Sequence, residues 1–258
     1  MAMMDYRNAF QFDGKVAVVI GGGGTIGREI ARGFAQCGAA VAAADIDLQS
    51  AQETVNMLGY NGREHMALCA DITNLTSAFT LVESIVSIYG RIDFLVNFAK
   101  RHVRKPALEL SEQEWNEVLD TNLKGTFLVA QAAGRVMKAQ GSGRIVNFAS
   151  ISSSLGLKNA SACASSRGGI TQLTKALAHE WAEWGVTVNA VAPGYFKTNQ
   201  TASLVCDPQK HADIMSRLPM RRLGEIDETV GPVLFFCSPL ASYITGQTVY
   251  VDGGRPVD

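Results

Sequence analysis

Residues 15–38 constrain this chain more than any other stretch. Val16, Ala17, Val18, Val19 and Ile20 follow one another without polar alternation, the pattern of a strand covered on both faces in a parallel sheet. A glycine-rich turn follows at once, GGGGTIG at 21–27. After it, Ile26, Ile30 and Phe34 share one helical face, Arg28, Glu29, Arg32 and Gln36 lie opposite, and Gly38 marks the stop. Glycine lets the backbone turn through positive φ and lets a pyrophosphate approach the amides. The helix start adds unpaired N–H donors and the positive end of a dipole. Strand, turn and helix together form a dinucleotide cradle.

A glycine turn alone is a weak signal. It gains meaning from an acidic residue about 20 positions on, at the end of the next strand. Asp45 stands there, directly after Ala40, Val41, Ala42, Ala43 and Ala44. A carboxylate at that point accepts hydrogen bonds from both ribose hydroxyls of an adenosine and repels a 2′-phosphate. The turn carries no Arg or Lys, so the expected cofactor is NAD rather than NADP.

At 258 residues the chain is long enough for one doubly wound unit with an ample core. A net charge of −1 gives no basic surface for nucleic acid, so the expected ligand is a small molecule. No apolar run reaches about 18 residues, and residues 1–13 lack the charged start and apolar centre of a signal peptide. We therefore expect a soluble, cytoplasmic protein with no membrane partner and a flexible tail over residues 1–13. Cys37, Cys69, Cys163, Cys206 and Cys237 form no CxxC pair, and an odd count argues against a disulfide framework. His65, His179 and His211 are scattered, so no metal site is expected.

From Asp45 onward the pattern alternates helix and strand. A helix at 48–58 precedes a strand at 65–69 that ends near Asp71. Phe79, Val82, Ile85, Val86 and Tyr89 recur at helical spacing, and residues 92–96 make a fourth strand. Ser111 and Glu114 form a capping box for a long helix that runs to 141–143. A fifth strand holds Ile145, Val146 and Phe148. A helix carries Ile170, Leu173, Leu177, Trp181 and Trp184, a sixth strand spans 186–191, and a last one spans 249–251. Residues 195–224 lack periodicity and read as a mobile substrate-loop segment. Repeated βα units predict a single-domain α/β fold over 14–258. It is a Rossmann-type doubly wound parallel sheet with helices on both faces, and its ligand crevice lies at the carboxyl ends of the strands.

Over residues 15–254 the chain resembles the short-chain dehydrogenase/reductase family. The glycine turn, LVN at 95–97, TNLKGTF at 121–127, GRIVNFAS at 143–150, VNAVAPGYFKT at 188–198 and TGQTVYVDGG at 245–254 carry the likeness. RKP at 104–106, PGYFKT and MRRLGE at 220–225 resemble its gluconate 5-dehydrogenase and 3-oxoacyl-carrier reductase branch. The resemblance implies NAD contacts from Gly21, Gly24, Thr25, Ile26, Gly27, Asp45, Asp71, Ile72, Asn97, Ala99, Arg167, Pro193, Gly194 and Thr198. It implies catalytic roles for Ser150, which positions the substrate oxygen, and for Asn122, which relays protons. It also implies a homotetramer.

Where the family carries YxxxK, this chain has Cys163 and Arg167. Positions i and i+4 still share a helix face, and Arg167 can hydrogen-bond a ribose bidentately. A cysteine is too short to reach an oxygen placed for a phenol. Losing a positioned acid/base costs about 10² to 10⁴ in rate. The usual NNAG also reads Asn97, Phe98, Ala99, Lys100. The basic run 100–105 reads first as a solvated loop and second as an anion clamp, with His102 the group nearest neutrality. Three readings follow: an NAD-dependent oxidoreductase for a small, possibly anionic polyol or keto compound; a catalytically impaired NAD-binding protein; and a lyase or dehalogenase. The glycine turn and the absent tyrosine argue against the third.

Overall fold

In the computed structural model, which describes residues 6–60, 62–198, 201 and 207–255, seven parallel strands form one sheet in the order β3-β2-β1-β4-β5-β6-β7. The strands are β1 (Val16–Ile20), β2 (Ala40–Asp45), β3 (Met66–Cys69), β4 (Phe94–Asn97), β5 (Gly143–Phe148), β6 (Val186–Pro193) and β7 (Thr248–Val251). The helices are α1 (Thr25–Gln36), α2 (Leu48–Leu58), α3 (Leu75–Tyr89), α4 (Glu112–Leu119), α5 (Gly125–Gln140), α6 (Ser161–Trp181), α7 (Pro208–Ser216) and α8 (Val230–Cys237). None among the described residues is long and apolar enough to cross a membrane.

β1 shows why an unbroken apolar run is needed. Val16, Val18 and Ile20 pack on one side with α3, α5 and the end of α6, while Ala17 and Val19 pack on the other with α1 and α8. Alternate side chains of one strand thus feed two cores. Ile20 pairs in register with Ala44 of β2 and Asn97 of β4. The glycine turn, Asp45 and Asn97 therefore leave the sheet side by side.

Several expectations need correction. The tail expected over residues 1–13 is packed at its end. Ala9 and Phe12 are buried, Phe12 N–H donates to the Cys37 carbonyl at 2.6 Å, and its ring meets Phe34 and Phe94. Residues 1–5 lie outside the described residues. β4 begins at Phe94 rather than 92; just before it, the Asp93 backbone still bonds Val16 and Arg144 while its carboxylate accepts Val16 N–H and pairs with Lys15 and Arg91. The long helix opened by the Ser111–Glu114 capping box runs to Gln140 as expected, with a π turn, Asp120–Lys124, inside it. Residues 195–224 include α7 and a bridge between Phe196 and Gly224; 199, 200 and 202–206, with Cys206, lie outside the described residues. α8 was not anticipated. Trp181, with its stripe partner Trp184 stacked at 6.0 Å, is buried in this chain's own core against Gly134.

Candidate active site

The turn after β1 is shaped by contact. A Cβ on Gly27 would sit 2.1 Å from the Gly21 carbonyl oxygen. One on Gly21, itself at φ +75°, would meet the Ala99 amide nitrogen at 2.9 Å. Both positions therefore need glycine. Gly24 is the N-cap of α1 and no side chain caps the helix, so its first-turn amides at Thr25, Ile26 and Gly27 stay open to an anion.

Asp45 accepts N–H bonds from Gly23 at 3.0 Å and Asp47 at 3.2 Å, which fixes the carboxylate beside the turn. The nearest cation of α1, Arg28, is already held. Its Nε donates to the Gly23 carbonyl, and its guanidinium pairs with Glu53 at 2.6 Å. These groups fit a dinucleotide whose adenosine ribose meets a carboxylate rather than a free arginine.

The other expected cofactor contacts divide. Asp71 turns its carboxylate to Thr73, and Ile72 is buried with its side chain against Gly125, which leaves the Ile72 backbone as the part that could face a ligand. Asn97 is buried and donates to Asn147 at 2.9 Å, so it ties β4 to β5 at the sheet's carboxyl edge.

Ile26, Asn122, Ser150, Cys163, Arg167, Pro193, Gly194 and Thr198 line one cleft of roughly 320 Å³, within the range of small-molecule sites. With them stand Phe98, Lys100, His102, Arg104 and Tyr195. Ser150 begins a short 3₁₀ turn and its Oγ accepts the Ser152 amide. The π turn presents Asn122, as such turns often do at functional sites. Asn122 is buried; its Oδ1 accepts the Arg101 amide at 2.7 Å, and its Nδ2 donates to the Arg101 carbonyl at 3.1 Å and to Ser166 at 3.0 Å.

That grip orders the 100–105 segment, while Lys100, Arg101, His102 and Arg104 stay exposed, as the reading of a solvated loop has it. Arg101 also pairs with Glu117 and Lys105 with Glu114, and the Lys105 amide donates to Asn159. The segment is strapped down along the cleft. It brings His102 Nδ1 to 3.2 Å from Cys163 Sγ, and Sγ lies 3.5 Å from the Val103 carbonyl. Sequence reasoning named both residues and missed their contact, because they are separated by 61 positions and no periodicity links them.

The cleft is cationic. Arg167 is only 8% exposed and donates to the Phe148 carbonyl, and burial pulls its pKa down to about 10. Lys100 stands 5.2 Å over the Phe98 ring. Although more than a third of it is open to solvent, desolvation and then Arg167 draw its pKa down to about 8. His102 lies below the ordinary imidazole value through desolvation, then Arg104, Lys100 and Arg167. Among the described residues no Asp or Glu lines the cleft.

Comparison with known proteins places this geometry in context. A family model described as enoyl-(acyl carrier protein) reductase matches residues 23–255. The chain is 38% identical to 2-dehydro-3-deoxy-D-gluconate 5-dehydrogenase of Escherichia coli K12 over 96% of this chain and 97% of that one. It superposes with a TM-score of 0.91, at 33% identity, on a gluconate 5-dehydrogenase from Burkholderia cenocepacia in complex with NADP and tartrate, covering 96% and 97% of the two chains. An NAD+-bound xylitol dehydrogenase gives a TM-score of 0.89 at 31% identity, covering 95% of this chain and 100% of the other.

Proposed function

Because the chain belongs to the short-chain dehydrogenase/reductase family, we propose that it is a nicotinamide-dependent oxidoreductase that interconverts hydroxyl and keto groups on a small anionic sugar acid. One observation carries the substrate class. Lys100, His102, Arg104 and Arg167 line a cleft with no carboxylate among its described residues. Cations gathered in one cleft raise the local concentration of an anion, so a substrate carboxylate fits there. The names of the relatives agree, since the Escherichia coli enzyme is a dehydrogenase of a deoxygluconate and the Burkholderia structure holds tartrate.

We assign the pyrophosphate to Gly21, Gly24, Thr25, Ile26 and Gly27, and the adenosine to Asp45, Asp71 and the Ile72 backbone. Asn97 and Ala99 shape the floor, and Arg167, Pro193, Gly194 and Thr198 take the nicotinamide end. Bound there, the coenzyme supplies a two-electron hydride acceptor or donor. Ser150 holds the reacting oxygen. Relatives hold NADP or NAD. We read NAD here because Asp45 faces the ribose position and Arg28 is occupied by Glu53. We read the protein as a cytoplasmic homotetramer on family likeness.

The test is turnover. With NAD and matched pairs of five- and six-carbon aldonic acids and neutral polyols, NADH absorbance rises with the acids, and their kcat/KM exceeds that of the polyols by at least about tenfold, or about 1.4 kcal/mol. Equal rates with neutral polyols, or no NADH with any acid, overturn the reading.

A further inference from the structure

We propose that His102, held by Cys163, is the general acid/base of this site. The inference rests on the oxidoreductase reading above and names the group that moves the proton.

Geometry gives the argument. The Cys163 thiol has two neighbours, the Val103 carbonyl oxygen at 3.5 Å and His102 Nδ1 at 3.2 Å, and we assign its hydrogen to the carbonyl, which can only accept. In this assignment a sulfur lone pair faces His102 Nδ1, and Nδ1 carries the ring proton. Nε2 is left bare. It has no protein partner among the described residues, and His102 lines the cleft together with Ser150. Cys163 is 5% exposed and anchored on α6, so it acts as a fixed stop against which the ring sits.

The loop that carries the ring is pinned as well. Asn122 binds both the N–H and the carbonyl of Arg101, the residue before His102. Asn122 and Cys163 are thus positioning residues for the imidazole. The other charged groups about the ring are Arg104 and Lys100 on its own segment and Arg167 on α6. All three are cations that disfavour imidazolium, so the ring is neutral and basic near pH 7.

In the oxidising direction Nε2 takes the proton of the substrate hydroxyl while hydride leaves the carbinol carbon for the nicotinamide ring. One O–H and one C–H bond break; one N–H bond, the second carbonyl bond and a new C–H bond on the hydride acceptor form, and the two electrons pass with the hydride. Reduction reverses each transfer. The proton reaches solvent through the open side of His102.

The test combines kinetics with a titration read without substrate. His102→Gln and His102→Asn lower kcat with an aldonic acid by about 10² to 10⁴ and retain NADH affinity within about threefold. In the parent protein, kcat/KM for oxidation falls as pH drops below the lowered His102 pKa, on the acid side of about 6.5. That limb persists in Tyr195→Phe and vanishes in His102→Gln. By proton NMR of the free protein, Cys163→Ala moves the His102 titration further downward, because the acceptor that favoured Nδ1–H is gone. An active parent with His102→Gln within threefold of it, an acid limb lost in Tyr195→Phe, or an unmoved titration in Cys163→Ala overturns the assignment alone. A parent that binds NADH yet turns over no acid overturns the oxidoreductase reading and the assignment with it.

Discussion

The proposed preference for NAD rests on a single side chain, Asp45. Its two oxygens already take the Gly23 and Asp47 amides, and a carboxylate offers about four acceptor positions, so room remains for ribose hydroxyls. A 2′-phosphate would set like charges close together, at about 4 kcal/mol for 4 Å and an effective dielectric constant near 20. Arg28, the cation that could answer it, is tied to Glu53 at 2.6 Å. Asp45→Ala therefore raises the ratio of kcat/KM with NADP to that with NAD by at least about tenfold, and Asp45→Ala with Glu53→Gln raises it further by releasing Arg28. Initial rates with both coenzymes decide it; an unchanged ratio means that the ribose is read elsewhere. Asp45 was legible in the sequence because its signal is local: a strand end at a fixed distance from a glycine turn. The Cys163–His102 contact was not, because a loop with no periodic pattern carries one partner across to the other.

Elements were legible where one face of a helix or both faces of a strand are buried, and obscure elsewhere. α2 falls on the expected 48–58, since Asp47 caps it and Gly59 ends it at φ +68°. α8 escaped notice because Val230–Cys237 is apolar nearly all round, leaving no polar face to set a helical period. The long helix after Ser111 runs to Gln140 as expected, but the π turn at Asp120–Lys124 was not legible, because it changes the phase without any proline or glycine inside it. The end of the amino-terminal segment was misjudged because one aromatic residue among polar neighbours carries no pattern. Phe12 nonetheless closes a ring cluster with Phe34 and Phe94, at centroid distances of 5.9 and 4.8 Å, beneath β1 and α1. Phe12→Ala should destabilise the protein by about 3 to 5 kcal/mol, the usual cost of emptying a buried phenylalanine site. It should leave NADH affinity nearly unchanged, because the cluster lies at the end of the sheet opposite the glycine turn. Thermal or urea unfolding with and without NADH checks both parts, and a loss under about 1 kcal/mol would mean that the segment is an ornament on the fold.

The whole molecule carries a net charge of −1, yet its cleft is lined by Lys100, Arg101, Arg104 and Arg167 with no acidic side chain among the described residues there. Arg101 is answered by Glu117 on the outer side. The others face the cleft, where low-dielectric walls focus their field and raise the local concentration of an anion. Acidic residues elsewhere balance the total, so the asymmetry is one of placement and invisible in the composition. Its consequence is kinetic. The Debye length shrinks from about 30 Å at 0.01 M salt to about 3 Å at 1 M, which removes long-range attraction while contacts inside the closed complex are screened much less. For an aldonic acid, kcat/KM should fall roughly tenfold over that range while kcat changes little, because capture depends on the field and the chemical step does not. A neutral polyol of the same length should show a flat kcat/KM. Measuring both substrates in parallel separates steering from any general effect of salt on the fold. If the acid is as indifferent to salt as the polyol, these cations do not face the substrate, and the anionic substrate class loses its physical basis.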